Sequence, residues 1–505
     1  MYKMAGKESL MPTLYEDLPE VFVSNAEITD LVSKYTRAGK LRKLGSRLYT
    51  KNMMAQPEEI VKRNWYFLLK DYYPDALIAD RTAIENQPAA DGSVFIISSK
   101  KRDTELPGIT FKPRPGPEPL DDDRQFLGGV RLSSTARAYL ENMRISRSRD
   151  GNIPRTLSRQ EIEERLDRLL RQGGESAINK IRDDARRIAP CLKLEKEFQK
   201  LDELIGSLLG TKDTEMQSDI GQARRKGAPY DPARLDIFLK LFEALKSTAP
   251  GQRPAKKMSA QAQSNLAFFE AYFSNFIEGT EFEVEEAVDI VFGGRIPNDR
   301  PEDAHDVLGT FRIVSDQKEM SRLPEKPDAL FDLLKSRHRV FMELRPDKHP
   351  GRFKIKNNQA GSTQFVPPDL VEGTLEKGFE IYQGLQAPLH RAVFMMFLIS
   401  EVHPFTDGNG RAARIMMNAE LVAGGEQKII IPTIYRSNYL SSLKALTHSG
   451  LADPLIRTLD FAQKYTQSID WENFEEARAQ LTATNAFMDP AEADEQGVRL
   501  KLYDG

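Results

Sequence analysis

The chain has 505 residues, 40% hydrophobic and 29% charged, with 72 Lys and Arg against 75 Asp and Glu. That is a globular composition of roughly three domains, and it excludes a uniformly basic protein, so any nucleic-acid surface has to be local. A single cysteine, Cys191, excludes an intrachain disulfide or a cysteine-based zinc site and points to a reducing cytoplasm. The longest apolar run, Ala392 to Ile399, is far below the ~18 residues of a membrane span, so no membrane partner is expected. The first eighteen residues lack the apolar core of a signal peptide.

Residues 1–55 open with a helical pattern in which Ile28, Leu31, Val32 and Tyr35 share one face and Gly39 is the stop. From Lys34 to Lys51 the chain carries Lys34, Arg37, Lys40, Arg42, Lys43, Arg47 and Lys51 and no acid. Leu41, Leu44, Leu48 and Tyr49 alternate around Gly45, which predicts a two-stranded wing. A basic helix followed by a basic wing is what a winged helix-turn-helix uses to enter a groove and hold phosphates. A solvated helix and hairpin is the bland alternative.

Residues 56–130 mix one helix with strand-like runs such as VFIISS and ITFKPRP, which predicts a small α+β domain. Residues 131–255 read as a helical linker domain, in which Ser158 and Glu161 form a capping box. The polar stretch from Thr211 to Pro232 is the preferred linker. Residues 259–472 are helix-rich with one β-hairpin. Residues 473–505 are expected to hold a C-terminal helix and an acidic, solvated tail. The chain is therefore read as multidomain and mainly α.

The stretch from Ser33 to Lys51, with RAGKLRKLGSRLY, resembles the winged-helix end of AbiEi-type antitoxins and related regulators. Those proteins follow it with a small α+β domain, and residues 66–130 are similar in order. The resemblance covers the first quarter of the chain and implies DNA as a partner.

A sharper signal is His403-Pro-Phe-Thr-Asp407-Gly408-Asn409-Gly410-Arg411-Ala-Ala-Arg414. Asp407 to Gly410 is a glycine- and asparagine-rich turn opening a helix that buries Ile415, Met416, Ala419 and Val422. Such a turn aims free N–H groups and the helix dipole at one point, which suits phosphate. Arg411 and Arg414 lie i,i+3, so both guanidinium groups are expected to reach one polyphosphate. Asp407 is a hard oxygen ligand suited to Mg²⁺, and His403 is the nearby group able to take a proton near neutral pH. Together they indicate phosphoryl or nucleotidyl transfer.

These residues match at every position the H-P-F-x-[D/E]-G-N-G-R-x-x-R signature of Fic-domain proteins, most of which are protein adenylyltransferases. The resemblance covers about residues 260–450 and implies an all-α Fic core with a β-hairpin flap over residues 352–366, which docks the target segment as an added strand. It implies His403 as general base for a Tyr, Thr or Ser hydroxyl of a protein target, itself among the candidates. It also implies Asp407 as Mg²⁺ ligand, Gly408, Asn409 and Gly410 as anion hole, and Arg411 and Arg414 as triphosphate ligands. Phe405 reads as a core anchor. Kinase-type members carry Lys where this chain has Gly410, so AMP transfer from ATP is the version implied.

Ser274-x-x-x-Glu278-Gly279 lies on a helix with Phe269, Phe273, Phe276 and Ile277 on an apolar face. By itself this is an amphipathic helix ending at a glycine cap. Ahead of a Fic core it resembles the family's inhibitory helix (264–279 here), which implies that Glu278 pairs with Arg414 and takes the γ-phosphate position. His305, His338, His349, His390 and His448 show no metal-ligand spacing and read as surface or packing residues. Asp121–Asp123 reads as a loop, Cys191 as structural, and Lys354 and Lys356 as solvated. Two functions stand: an autoinhibited adenylyltransferase with a DNA-binding region, or a DNA-binding, antitoxin-like regulator whose Fic domain senses nucleotide. The intact His403 favours the enzyme, and the basic run favours the regulator.

Overall fold

The polar stretch chosen as a linker contains the division between two units, one ending at Arg225 and the next beginning at Lys226. The computed structural model describes residues 15–146 and 152–504. In the first unit, β1 (Val21–Val23), α1 (Thr29–Arg37), β2 (Arg42–Gly45) and β3 (Leu48–Thr50) form an antiparallel sheet in the order β1-β3-β2. Helix α1 packs on this sheet through Ile28 and Val32, which are buried with Phe22 and Leu41. Strands β2 and β3 pair as a hairpin whose turn lies at Ser46 and Arg47, and Gly45 marks a shift in register. Arg47 takes a left-handed backbone conformation, φ 61°, and its Nε donates to the Ser24 carbonyl at 2.7 Å. Among the described residues before Lys51, α1 is the sole helix, so the second helix of a helix-turn-helix is not found among them. Residues 1–14 lie outside the described residues.

The α+β region follows, with α2 (Pro57–Arg63), α3 (Trp65–Tyr72), β4 (Leu77–Ile78) and α4 (Asp80–Glu85). Strands β5 (Ser93–Ile97), β6 (Thr104–Leu106), β7 (Ile109–Arg114), β8 (Arg124–Gln125) and β9 (Arg131–Leu132) complete a mixed sheet ordered β6-β7-β5-β4-β9-β8. Strand β5 is buried along its whole length, as its unbroken apolar run requires, whereas β7 alternates. The domain extends past residue 130, because β9 is needed to pair β4 and because α5 (Thr135–Asn142) joins a buried charge network. In that network Arg137 bonds Asp123 at 2.6 Å and Glu141 at 2.9 Å, and Arg114 bonds Asp80 at 2.7 Å. Asp123 is thus the buried partner of an arginine. Helices α6 (Arg159–Leu192), α7 (Glu195–Leu208) and α8 (Asp219–Arg225) close the unit. The Ser158–Glu161 capping box starts α6, and Gly174 breaks its backbone. Cys191 is exposed near its end.

The second unit begins with α9 (Pro232–Ser247), α10 (Ala260–Ile277), α11 (Val284–Val291), α12 (Pro301–Val314), α13 (Gln317–Met320) and α14 (Pro327–Phe341). Next come β10 (Gln359–Ala360), β11 (Thr363–Gln364), α15 (Val371–Tyr382), α16 (Pro388–Val402) and α17 (Asn409–Ala423). The chain finishes with α18 (Arg436–Ser449), α19 (Asp453–Ser468), α20 (Phe474–Ala483) and α21 (Pro490–Gln496). Helix α9, expected in the linker domain, packs here, because Phe238, Leu241 and Leu245 are buried in the same core as α15 and α16. The C-terminal segment is not a solvated tail. Ala477, Leu481, Ala486, Ala493 and Leu500 join the core that surrounds α10, so the acids lie on the outer face of a packed segment. Helix α16 is apolar on nearly every face and lies against α17 at the centre of the unit. No helix among the described residues is long and apolar enough to cross a membrane.

Candidate active site

Helix α16 ends at His403, which adopts φ 53°, ψ 58°, a left-handed conformation that stops the helix and turns the chain into the signature loop. His403 Nδ1 lies 3.2 Å from the Ser400 carbonyl, so Nδ1–H donates there and Nε2 keeps a free lone pair. The ring stacks on Phe365 beside β11, with centroids 3.7 Å apart. Burial holds its pKa down at about 4 against the bond to Ser400, and the Lys354 ammonium adds to the depression. The imidazole is therefore neutral at physiological pH.

Helix α17 starts from Gly408 at φ 74°, where a side chain would press on Phe341 and Met342. Asn409 serves the loop through its side chain: Oδ1 accepts from the Phe405 N–H at 2.8 Å and Nδ2 donates to the Phe405 carbonyl at 2.9 Å. Its side chain is thus committed to the loop, and only its backbone N–H, in the first turn of the helix, stays available to an anion. The Gly408 N–H donates to Asp407 Oδ1 at 2.7 Å, which leaves the other carboxylate oxygen free of that bond. Phe405 is fully buried, as expected of an anchor.

Arg414 is buried, and its guanidinium is held from α10. Nε donates to Ser274 Oγ at 3.0 Å, and one terminal nitrogen donates to the Ser274 carbonyl at 2.8 Å and to Glu278 Oε1 at 2.7 Å. Glu278 caps α10, and Gly279 follows at φ 91°. Gly410 is needed here for space, because a Cβ would sit on Glu278 Oε1. Glu278, Phe365, His403, Gly410, Arg414 and Tyr439 line one cavity of about 220 Å³.

Arg411 does not share that cavity. It is buried beside Phe341, and one terminal nitrogen pairs with Asp306 at 2.8 Å; Asp306 also accepts from Arg345 at 2.9 Å. The i,i+3 spacing put both arginines on one side of α17, but a buried carboxylate on α12 draws Arg411 away. Asp407, Gly408 and Asn409 lie on the loop side of the helix start and do not line the cavity.

Sequence reasoning missed the supports of the loop. His338, fully buried on α14, accepts the Gly351 N–H on Nδ1 at 2.9 Å and donates from Nε2 to the Asp407 carbonyl at 3.0 Å. It stacks on Phe405 at 3.8 Å, and burial lowers its pKa to about 4. Lys354 is 4% exposed rather than solvated: its backbone N–H bonds Pro404 and its ammonium bonds Asn358 Oδ1 at 2.6 Å. Burial lowers its pKa to about 7. His305 and His390 are also interior. His448 bonds Thr363 of the flap, whose strands β10 and β11 pair as the flap reading expects. No local motif marks these residues, because each acts on a segment remote in the chain.

Residues 330–421, which hold the signature loop and α17, match the Fic/DOC family. Over 237 residues the chain is 27% identical to protein adenylyltransferase Fic of Drosophila willistoni, covering 44% of this chain and 46% of that protein. Over 247 residues it is 27% identical to the protein of that name from Nematostella vectensis, covering 47% and 55%. The matched region thus spans about half the length of these relatives. A Fic-domain-containing signaling protein from Bacteroides thetaiotaomicron superposes with TM-score 0.35 at 18% identity, covering 47% of this chain and 98% of that one. The chain thus carries a region that matches the Fic/DOC family and is similar over part of its length to protein adenylyltransferases.

His338→Phe keeps the ring stack on Phe405 but leaves the Asp407 carbonyl and the Gly351 N–H without a partner. It should destabilise the second unit by about 1–3 kcal/mol in denaturant unfolding. His338 is neutral in the folded chain down to about pH 4, whereas its unfolded counterpart protonates near 6.5. Stability should therefore fall as pH drops from 6.5 towards 4, with a shallower fall in the variant.

Proposed function

We propose that the chain is a protein adenylyltransferase that moves AMP from ATP to a Tyr, Thr or Ser hydroxyl of a protein, itself included. The observation that carries this reading is a neutral His403 opening on the same cavity as Arg414. His403 Nε2 takes the hydroxyl proton as the oxygen attacks the α-phosphorus. The new P–O bond forms as the bond to the β-phosphate oxygen breaks, and pyrophosphate leaves. The first-turn N–H groups of α17 and the released Arg414 hold the phosphates. Asp407 would hold Mg²⁺, which supplies charge neutralisation on the phosphates; its half-buried carboxylate at the turn fits a hard cation. A cavity of about 220 Å³ falls below the roughly 300–1,000 Å³ of ligand sites, which supports a closed, inhibited state with Glu278 in the phosphate position.

A second reading, DNA binding by the first unit, is favoured by one observation: Lys34, Arg37, Lys40, Lys43 and Arg47 are exposed on α1 and the hairpin. In this reading the protein is a regulator whose Fic domain senses nucleotide. Arg42 is half-buried and donates to the Ala55 carbonyl, so it contributes less than the others. Replacing Arg42, Lys43 and Arg47 with Ala should flatten the salt dependence of binding to DNA from upstream of the coding sequence, by ~0.9 in slope for each phosphate that is no longer neutralised. An unchanged slope, or a parent that does not bind, removes DNA from the account.

Transfer from α-labelled ATP with Mg²⁺ tests the enzyme. His403→Ala should abolish labelling while the fold persists, and the acid limb of the parental rate should lie near pH 4, the pH at which the half-buried imidazole protonates, rather than near 6.5. Labelling by His403→Ala at the parental rate would overturn the mechanism.

Glu278→Gly should raise self-labelling by about tenfold or more, because the freed guanidinium can bind the γ-phosphate and align the α-phosphate. Ser274→Ala should release less, since Glu278 still holds Arg414. A Glu278→Gly protein that labels no faster than its parent would make α10 an ordinary packed helix.

A further inference from the structure

Helix α10 meets α17 in three matched layers that run in opposite directions. Glu278 faces Gly410, Ser274 faces Arg414, and Glu270 faces Asn418. The outer layer borders the cavity, and the Glu278 side chain there is 30% exposed. The inner layer is buried: Glu270 is 6% exposed, Lys428 6% and Asn418 1%. Glu270 Oε1 accepts from Asn418 Nδ2 at 2.8 Å, and Glu270 Oε2 accepts from Lys428 Nζ at 2.8 Å. Lys428 also donates to the Val314 carbonyl at the end of α12, and Asn418 bonds the Ile429 N–H and carbonyl. One layer thus ties α10, α12, α17 and the segment after α17.

We propose that Glu270, held by Lys428 and Asn418, is the positioning residue that sets the register of the inhibitory helix. This inference rests on the reading of Glu278 as inhibitor. A slip of α10 by one residue moves its side chains about 1.5 Å along the axis and turns them by about 100°. That slip would part Glu270 from Lys428 and leave two buried charges unpaired, which the interior resists strongly. The Glu278–Arg414 pair borders the cavity and competes with water and nucleotide, whereas the Glu270 layer is out of reach of both. The buried layer therefore keeps Glu278 over Gly410, while the outer layer performs the inhibition.

The test is self-labelling of the full chain from α-labelled ATP at matched concentrations, with thermal unfolding of every variant. Glu270→Gln, which keeps an acceptor for Asn418, and Lys428→Met should each label at least about threefold faster than the parent. Both should add no further rate in a Glu278→Gly background, and amide exchange over residues 266–277 should quicken. A general packing defect would lower the rate instead of raising it. If Glu278→Gly is faster but Glu270→Gln and Lys428→Met are not, the register role is wrong and autoinhibition stands. If Glu278→Gly is itself no faster, the inhibitory reading fails and the register role falls with it. Variants that unfold below the assay temperature also count against the proposal, because the layer would then be part of the core at large.

Discussion

A guanidinium buried between two helices has to be answered by acceptors, and Arg414 is such a group at the edge of a cavity. Each hydrogen bond to a charged partner contributes about 1.5–3 kcal/mol, and removing one partner from a buried pair costs about 3–5 kcal/mol. In this structure Ser274 and Glu278 supply those acceptors. A triphosphate offers the same chemistry from the other side of the cavity. Under the proposed function the protein-borne carboxylate and the nucleotide would compete for this one cation.

The loop between α16 and α17 depends on a second constraint, the need to hold a short irregular backbone still at the meeting of two buried helices. Asn409 closes the loop on Phe405 from within. The side chains of His338 and Asn358 and the backbone N–H of Lys354 hold its carbonyls from outside. These contacts do for the loop what a ladder of backbone bonds does for a strand. Partial burial of the His403 ring at the cavity edge also keeps it neutral.

The first unit shows the opposite use of charge. Arg137, Asp123, Glu141, Asp80 and Arg114 neutralise one another in its interior, whereas Lys34 and Arg37 of α1 and Lys43 and Arg47 of the hairpin are exposed. Inside, charge fixes one packing arrangement; outside, it makes a local positive surface on a chain with a net charge of −3.

By itself, the sequence determined whatever depends on neighbours along the chain. The turn from Asp407 to Gly410, the helix it opens, the capping box at Ser158 and the hairpin after Lys40 follow from local geometry, and helical spacing links Ser274 to Glu278. Only the tertiary structure decided which of these groups meet. Arg411 and Arg414 lie one turn apart, yet α12 brings a carboxylate to one and α10 brings a carboxylate to the other. Lys354 and the C-terminal acids looked alike as charges in sequence; one became buried under the loop and the others stayed on the outer face of a packed segment. His338 and Glu270 carry no motif, because their partners lie 69 and 148 to 158 positions away. Burial and polar pairing are properties of what covers a residue, and a chain read in order does not contain its own cover.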